Sequence, residues 1–153
     1  MSKQLLFISL CFISFFGRGQ DSLFVDLSSP YGSLRTHLFY LQDDHYDAEK
    51  AAQPFLQKGI SQEQAIKAAI QLKQAWDGEG TFITMEAIPK NPNFKDSLRN
   101  RHIYVIDNHQ PAIILVKNGN EWIYAKSSLD AIQDFHDEVF PFGTDKLLQL
   151  LPK

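Results

Sequence analysis

The chain has little cysteine, little excess charge and no long hydrophobic run, and each shortage narrows its range. Its single cysteine among 153 residues is Cys11, which lies inside the apolar run Leu5–Phe16. A lipid-attachment cysteine follows a small residue at the end of such a run, whereas Cys11 follows Leu10 and the run continues past it. Loss of the first nineteen residues would leave no thiol, so the expected domain has no disulfide and no cysteine nucleophile. Its stability would then rest on packing alone. The run Leu5–Phe16 is also shorter than the roughly twenty residues a membrane-spanning helix needs, and no second run follows it.

Positive charge is sparse. Fifteen Lys and Arg against eighteen Asp and Glu leave a net charge of −3. The one basic cluster, Arg99-Asn100-Arg101-His102, is bracketed by Asp96 and Asp107 and reads as a solvated loop. An acidic chain without a basic stripe argues against nucleic acid and anionic lipid surfaces as partners. Asn-x-Ser/Thr sequons, internal repeats and low-complexity linkers are missing, as are a nucleophile elbow, a phosphate loop, a dinucleotide fingerprint and a zinc-protease histidine pair.

What is present begins with an address. Lys3, then Leu5–Phe16, then Gly17-Arg18-Gly19 follow the order of a secretory signal peptide: a charged start, a short apolar middle and a small-x-small exit. Cleavage is expected before Gln20. Residues 20–153 then form one extracytoplasmic domain, placed in the periplasm.

Helices dominate the first half. Ser29-Pro30 is a helix start, with Tyr31, Leu34, Leu38 and Leu41 at helical spacing. Asp47 caps a short helix from Ala48 to about Gln53, limited by Pro54. Ser61-Gln62-Glu63-Gln64 is a capping box. It opens a helix whose stripe is Ala65, Ala69, Leu72 and Trp76, widened by Ile66 and Ile70. Gln64, Lys67, Gln71 and Gln74 form its wet face, and Asp77-Gly78-Glu79-Gly80 stops it. The stretch from Thr81 to Ala87 reads as either strand or short helix, and Lys90 to Ser97 as a loop.

Strands follow. His102 to Ile106 is rich in β-branched and aromatic residues. Ala112–Val116 and Trp122–Ala125 flank Asn118-Gly119, a two-residue hairpin signal. That turn pairs Lys117 with Asn120, placing Leu115 opposite Trp122 and Ile113 opposite Tyr124 on one face, with Ile114 and Ile123 on the other. Ser127 or Ser128 caps a helix carrying Leu129, Ile132, His136 and Val139. Thr144 caps a last helix with Leu147, Leu148 and Leu151. The expected fold is α+β: N-terminal helices packed with a small antiparallel sheet (hairpin at about 112–125) and two C-terminal helices.

Three groups carry titratable chemistry. Asp43-Asp44-His45 with Asp47 offers hard oxygen ligands and an imidazole, but reads better as a polar loop and a helix cap. Asp77-Gly78-Glu79-Gly80 resembles half a calcium loop without the distant glutamate, and reads better as a helix stop. His37 and His136 lie on apolar helix faces and could meet for acid–base work, although a core histidine bonded to a carbonyl is the commoner arrangement. No catalytic, cofactor or metal residue is assigned. Of the aromatics, Tyr31, Phe39, Tyr40, Trp76, Phe82, Phe94, Trp122 and Tyr124 are expected in the core. Phe140-Pro141-Phe142, between two helices, is the candidate interaction surface.

Several stretches in order carry a family resemblance. They are Leu27-Ser28-Ser29-Pro30, Thr36-His37-Leu38-Phe39-Tyr40-Leu41-Gln42, Tyr46-Asp47-Ala48-Glu49-Lys50-Ala51-Ala52, Ala65-Ile66 with Leu72-Lys73, Asp77-Gly78-Glu79-Gly80, Ile88-Pro89 with Asn91-Pro92-Asn93-Phe94-Lys95-Asp96-Ser97, Glu121-Trp122-Ile123-Tyr124 and Val139-Phe140-Pro141-Phe142-Gly143. Together they resemble the exported N-terminal domain that precedes the membrane spans in some bacterial small-conductance mechanosensitive channel (MscS-type) proteins. The sequence departs from that pattern at Leu151-Pro152-Lys153, about where the membrane part would begin, so no pore residue can be carried over. The resemblance implies a non-catalytic periplasmic sensor or adaptor whose partner is a membrane channel subunit or another envelope protein. Two readings compete with it: a small-ligand module with a pocket between helices and sheet, and a small secreted hydrolase or metal enzyme using His37, His136 or the loop from Asp43 to Asp47.

Overall fold

A computed structural model describes residues 24–143. The expected signal peptide, its cleavage site, and the last helix from Thr144 lie outside the described residues. Within them the fold is α+β. The elements are α1 (Pro30–Phe39), α2 (Ala48–Ala51), α3 (Gln62–Glu79), β1 (Ile103–Val105), β2 (Ile114–Asn118), β3 (Glu121–Tyr124) and α4 (Ser128–Val139). Short 3-10 turns occupy Asp43–His45, Gln53–Phe55 and Met85–Ala87.

The helix starts are dictated locally. The Ser29 hydroxyl accepts from the Gly32 amide, with Pro30 in the first turn. Asp47 caps α2 through the Lys50 amide. In α3, Ser61 and Gln64 satisfy each other's backbone amides, a complete capping box. The helix runs through Asp77, Gly78 and Glu79 and closes on Gly80 at φ +79°. The stop expected at Asp77-Gly78-Glu79-Gly80 is therefore made by its last residue, Gly80 in the left-handed conformation. Gly78 stays helical because it lets another segment approach: a Cβ there would sit 2.6 Å from Phe140 Cζ and 2.7 Å from Val139 Cγ1. α2 is shorter than its pattern, and Pro54 sits inside the following 3-10 turn, where its missing amide costs nothing.

The three strands form an antiparallel meander in the order β1-β2-β3. Leu115 pairs with Tyr124, Lys117 with Trp122 and Asn118 with Glu121. The loop is thus Gly119-Asn120, one residue later than expected. Gly119 has φ +62° and Asn120 is not in the positive region, which suits a type II′ turn with glycine at its first central position. The shift moves each partner by two residues, so the face assignment survives. Ile113, Leu115, Trp122 and Tyr124 remain together on the core side.

The core gathers Leu34, Phe55, Ala65, Ala68, Ala69, Leu72, Ala75, Trp76, Ile113, Leu115, Trp122, Tyr124, Ile132 and Phe135. On α3 the stripe widens through Ala68 and Ala75, and Ile66 and Ile70 are only half-buried. The cause is α4, which packs against that side. Gln71 bonds Gln133, Gln74 bonds His136, and Gly78 meets Val139 and Phe140. These contacts advance in the same direction along both chains, so α3 and α4 run parallel, and part of the supposed wet face is their seam.

Trp122 fastens the layers. Its amide donates to the Leu27 carbonyl, its carbonyl accepts from the Ser33 hydroxyl, and its indole N–H donates to the Pro92 carbonyl. At the start of α4 the expected cap is absent: Ser127 makes no side-chain cap bond. Ser128, fully buried, accepts from the Ile114 amide and donates to the Ala112 carbonyl instead. No helix among the described residues is long and apolar enough to cross a membrane.

Candidate functional site

α1 and α3 both end at the same side of the molecule, and a cleft opens between their C-terminal turns. One part, about 420 Å³, is lined by Leu38, Gln42, Lys73, Trp76, Asp77, Gly80, Thr81, Phe82 and Ile83. An adjoining hollow of about 560 Å³ shares Gln42, Lys73 and Asp77 and adds Leu41, Asp43, Tyr46, Ile70 and Gln74. The two hollows adjoin at these shared residues and are treated together as the groove. Trp76 is buried, while Phe82 stands 96% exposed at the rim and Tyr46 is also exposed.

The sequence gives each wall a reason. α1 and α3 present Leu38 and Trp76 from their core stripes, so the floor continues the hydrophobic core outward. Gly80 turns the chain sharply, its amide donating to the Asp77 carbonyl and the Thr81 amide to the Trp76 carbonyl. The turn throws Phe82 clear of the core. This corrects the expectation that Phe82 is a core aromatic, since the residues from Thr81 to Thr84 form neither strand nor helix over the sheet.

Electrostatically the groove leans negative. Among the described residues Lys73 is the only cation that lines it, and it is bound to Asp77 one turn along the helix. Asp43 also lines it, and Asp44 and Glu79 stand exposed beside lining residues. Both α1 and α3 direct their C-terminal carbonyl ends toward it, adding the negative pole of each helix.

The histidines do other work. His37 is fully buried, with Nε2 2.8 Å from the Ala69 carbonyl and Nδ1 2.9 Å from the Tyr124 hydroxyl. A carbonyl only accepts, so Nε2 carries the proton and Nδ1 accepts from the phenol. Burial, with a smaller push from the Lys73 charge, outweighs the carbonyl bond and holds the ring's pKa down at about 4. The same burial pushes the Tyr124 phenol well above its usual range. Phe55 stacks on Tyr124 at 3.9 Å and meets the His37 ring edge-on at 5.0 Å. This is a saturated aromatic cluster. His136 bonds Gln74 through Nε2 and lies 3.6 Å from Asp137 through Nδ1. The two histidines share no hydrogen-bond partner, and the structure does not assemble them into one site.

The acidic loop disperses in the same way. Asp47 is spent on Lys50, whose amide and ammonium hold its carboxyl below the usual range. The His45 ring packs on Phe39 at 4.3 Å. Among the described residues no three His, Cys, Asp or Glu side chains gather so as to hold a metal ion. Of the candidate interaction surface, Phe140 is half-buried on Gly78 and beside the His136 ring, whereas Phe142 is 74% exposed. Both leave from the end of the α3–α4 pair that also carries Phe82.

Phe82, Ile83, Leu38 and Lys73 were not among the expected site residues. A phenylalanine two residues after the helix-closing Gly80 was the available signal. No protein-family model, curated protein or solved structure matches the chain.

Proposed function

We propose that the protein is a non-catalytic extracytoplasmic module that acts by binding a protein of the cell envelope through the groove between α1 and α3. The observation that carries this reading is a large aromatic side chain, Phe82, held 96% exposed at the lip of an apolar-floored cleft. Exposing such a ring forgoes about 2 kcal/mol of burial, and a partner surface recovers it. His37, buried with both ring nitrogens bonded, and His136, bonded to a different partner, support a role without acid–base chemistry. A channel subunit of the mechanosensitive type is the first partner to test, on the strength of the ordered stretches from Leu27 to Gly143.

The test is site-specific photo-crosslinking in cells, with a benzophenone side chain at position 82 and another at position 130, at the opposite end of the α3–α4 pair. A discrete protein adduct from either position supports an adaptor. A chain that stays uncrosslinked from both positions refutes it. The part of the groove beside Phe82, about 420 Å³, also favours a second reading, a small-ligand module, since small-molecule sites span about 300–1,000 Å³. That reading requires a low-molecular-weight compound to co-purify with the chain and raise its melting temperature.

A further inference from the structure

Resting on that reading, we infer that the groove takes an extended segment of the partner in which an apolar side chain is flanked by lysine or arginine. Two features of the groove select this chemistry independently.

The first is shape and polarity. Leu38, Trp76 and Ile83 line a recess with Phe82 over its edge, which suits one inserted aliphatic or aromatic side chain. The second is charge. Lys73, the only lining cation among the described residues, is already paired with Asp77. Asp43 lines the same hollow with no second cation among the described lining residues, and its chain neighbour Asp44 is exposed. The C-terminal ends of α1 and α3 add their negative poles. An acidic segment would face the Asp43 carboxylate and its exposed neighbour Asp44, and a purely apolar one would leave those charges without a counterpart. Cations on either side of the inserted residue complement the rim and also speed encounter, because charge around a binding patch mainly sets association rate and specificity. The hollow at the other end of the helix pair differs. Lys67 and Lys126 line it, and Asp130 is the only acid among its described lining residues, so its charge balance is opposite to that of the groove.

The test uses the chain with three fluorescein-labelled twelve-residue peptides: one of lysine, leucine and phenylalanine, one with glutamate replacing each lysine, and one with serine replacing each apolar residue. Anisotropy is expected to show saturable binding of the first alone, weakening with added salt as screening shortens to about 3 Å at 1 M. Asp43→Lys combined with Asp44→Lys, and separately Phe82→Ser, should each weaken it by about tenfold, the scale of a few rim charges or one buried ring. Glu63→Lys, at the far end of α3, should leave it unchanged. Melting curves must match across these variants, and Asp43→Asn serves where the double charge reversal alters folding. Equal binding of the glutamate peptide, an equal loss in Glu63→Lys, or no binding of any peptide overturns the inference. Photo-adducts from position 130 but not 82, together with peptide failure, would remove the groove assignment and leave the adaptor reading standing. No adducts at all would remove both.

Discussion

His37 makes the stability of this chain depend on pH in a window where carboxylates contribute little. In the folded chain the ring stays neutral down to about pH 4, against an ordinary value of 6.5. An unfolded chain takes up a proton below 6.5, and the folded chain does not until about 4. Protons therefore favour unfolding between those values. Stability is constant with respect to this group above pH 6.5, falls as pH drops toward 4, and falls no further below it. Each pH decade of that difference is about 1.4 kcal/mol, so the full effect is about 3 kcal/mol, a large share of a typical 5–15 kcal/mol. Asp47 and Asp96 have carboxyls held below 3.8, so the stability they add is lost only at lower pH. Urea unfolding followed by fluorescence from pH 8 to 4.2 measures the effect. His37→Gln should be less stable at every pH, with a flatter curve between 6.5 and 4. Parallel curves for the two chains would refute the reasoning, because the slope would then come from elsewhere.

Further expectations can be checked by the same unfolding assay. Tyr124→Phe leaves His37 Nδ1 buried without a donor and should cost about 1–3 kcal/mol, although it removes only one oxygen. Ser128→Ala should cost about 1–3 kcal/mol, since its hydroxyl bridges Ile114 and Ala112, while Ser127→Ala should fall within about 0.5 kcal/mol of wild type. Gly78→Ala should destabilise by about 1 kcal/mol despite alanine's better helix propensity, because its methyl meets Phe140 and Val139. Adding Phe140→Ala should then recover part of that loss, and strict additivity in the double-mutant cycle would refute the contact.

The parts of the fold that were legible in the sequence are those set by neighbouring residues. Ser29-Pro30, Asp47 and the Ser61 capping box act within one turn of themselves, and the structure places all three as read. The alternation along β2 and β3 fixed which side chains face the core, because a strand's period of two survives a register change of two. What was not legible depended on distant packing. Asn118-Gly119 is a strong turn signal, yet the chain turns one residue later, a choice that the partners of Trp122 constrain from outside the hairpin. Gln71 and Gln74 look solvent-facing until α4 supplies Gln133 and His136. The groove was hidden for the same reason: Leu38 and Trp76 belong to a core stripe by spacing, and only the meeting of two helix ends shows that the stripe runs out into a cleft.

The parallel pairing of α3 with α4 has a consequence for the timing of folding. Parallel neighbours cannot be joined by a tight turn, so the whole β-meander must be laid down between them. Trp122, which ties residue 27 and residue 33 to the sheet, also comes late. A chain emerging from its N-terminus holds α1, α2 and α3 early, but it cannot seal its interior until residues 113–136 arrive. Contacts so far apart in sequence slow folding. Through most of its synthesis the polypeptide therefore carries helix segments whose apolar sides have nothing yet to close over them.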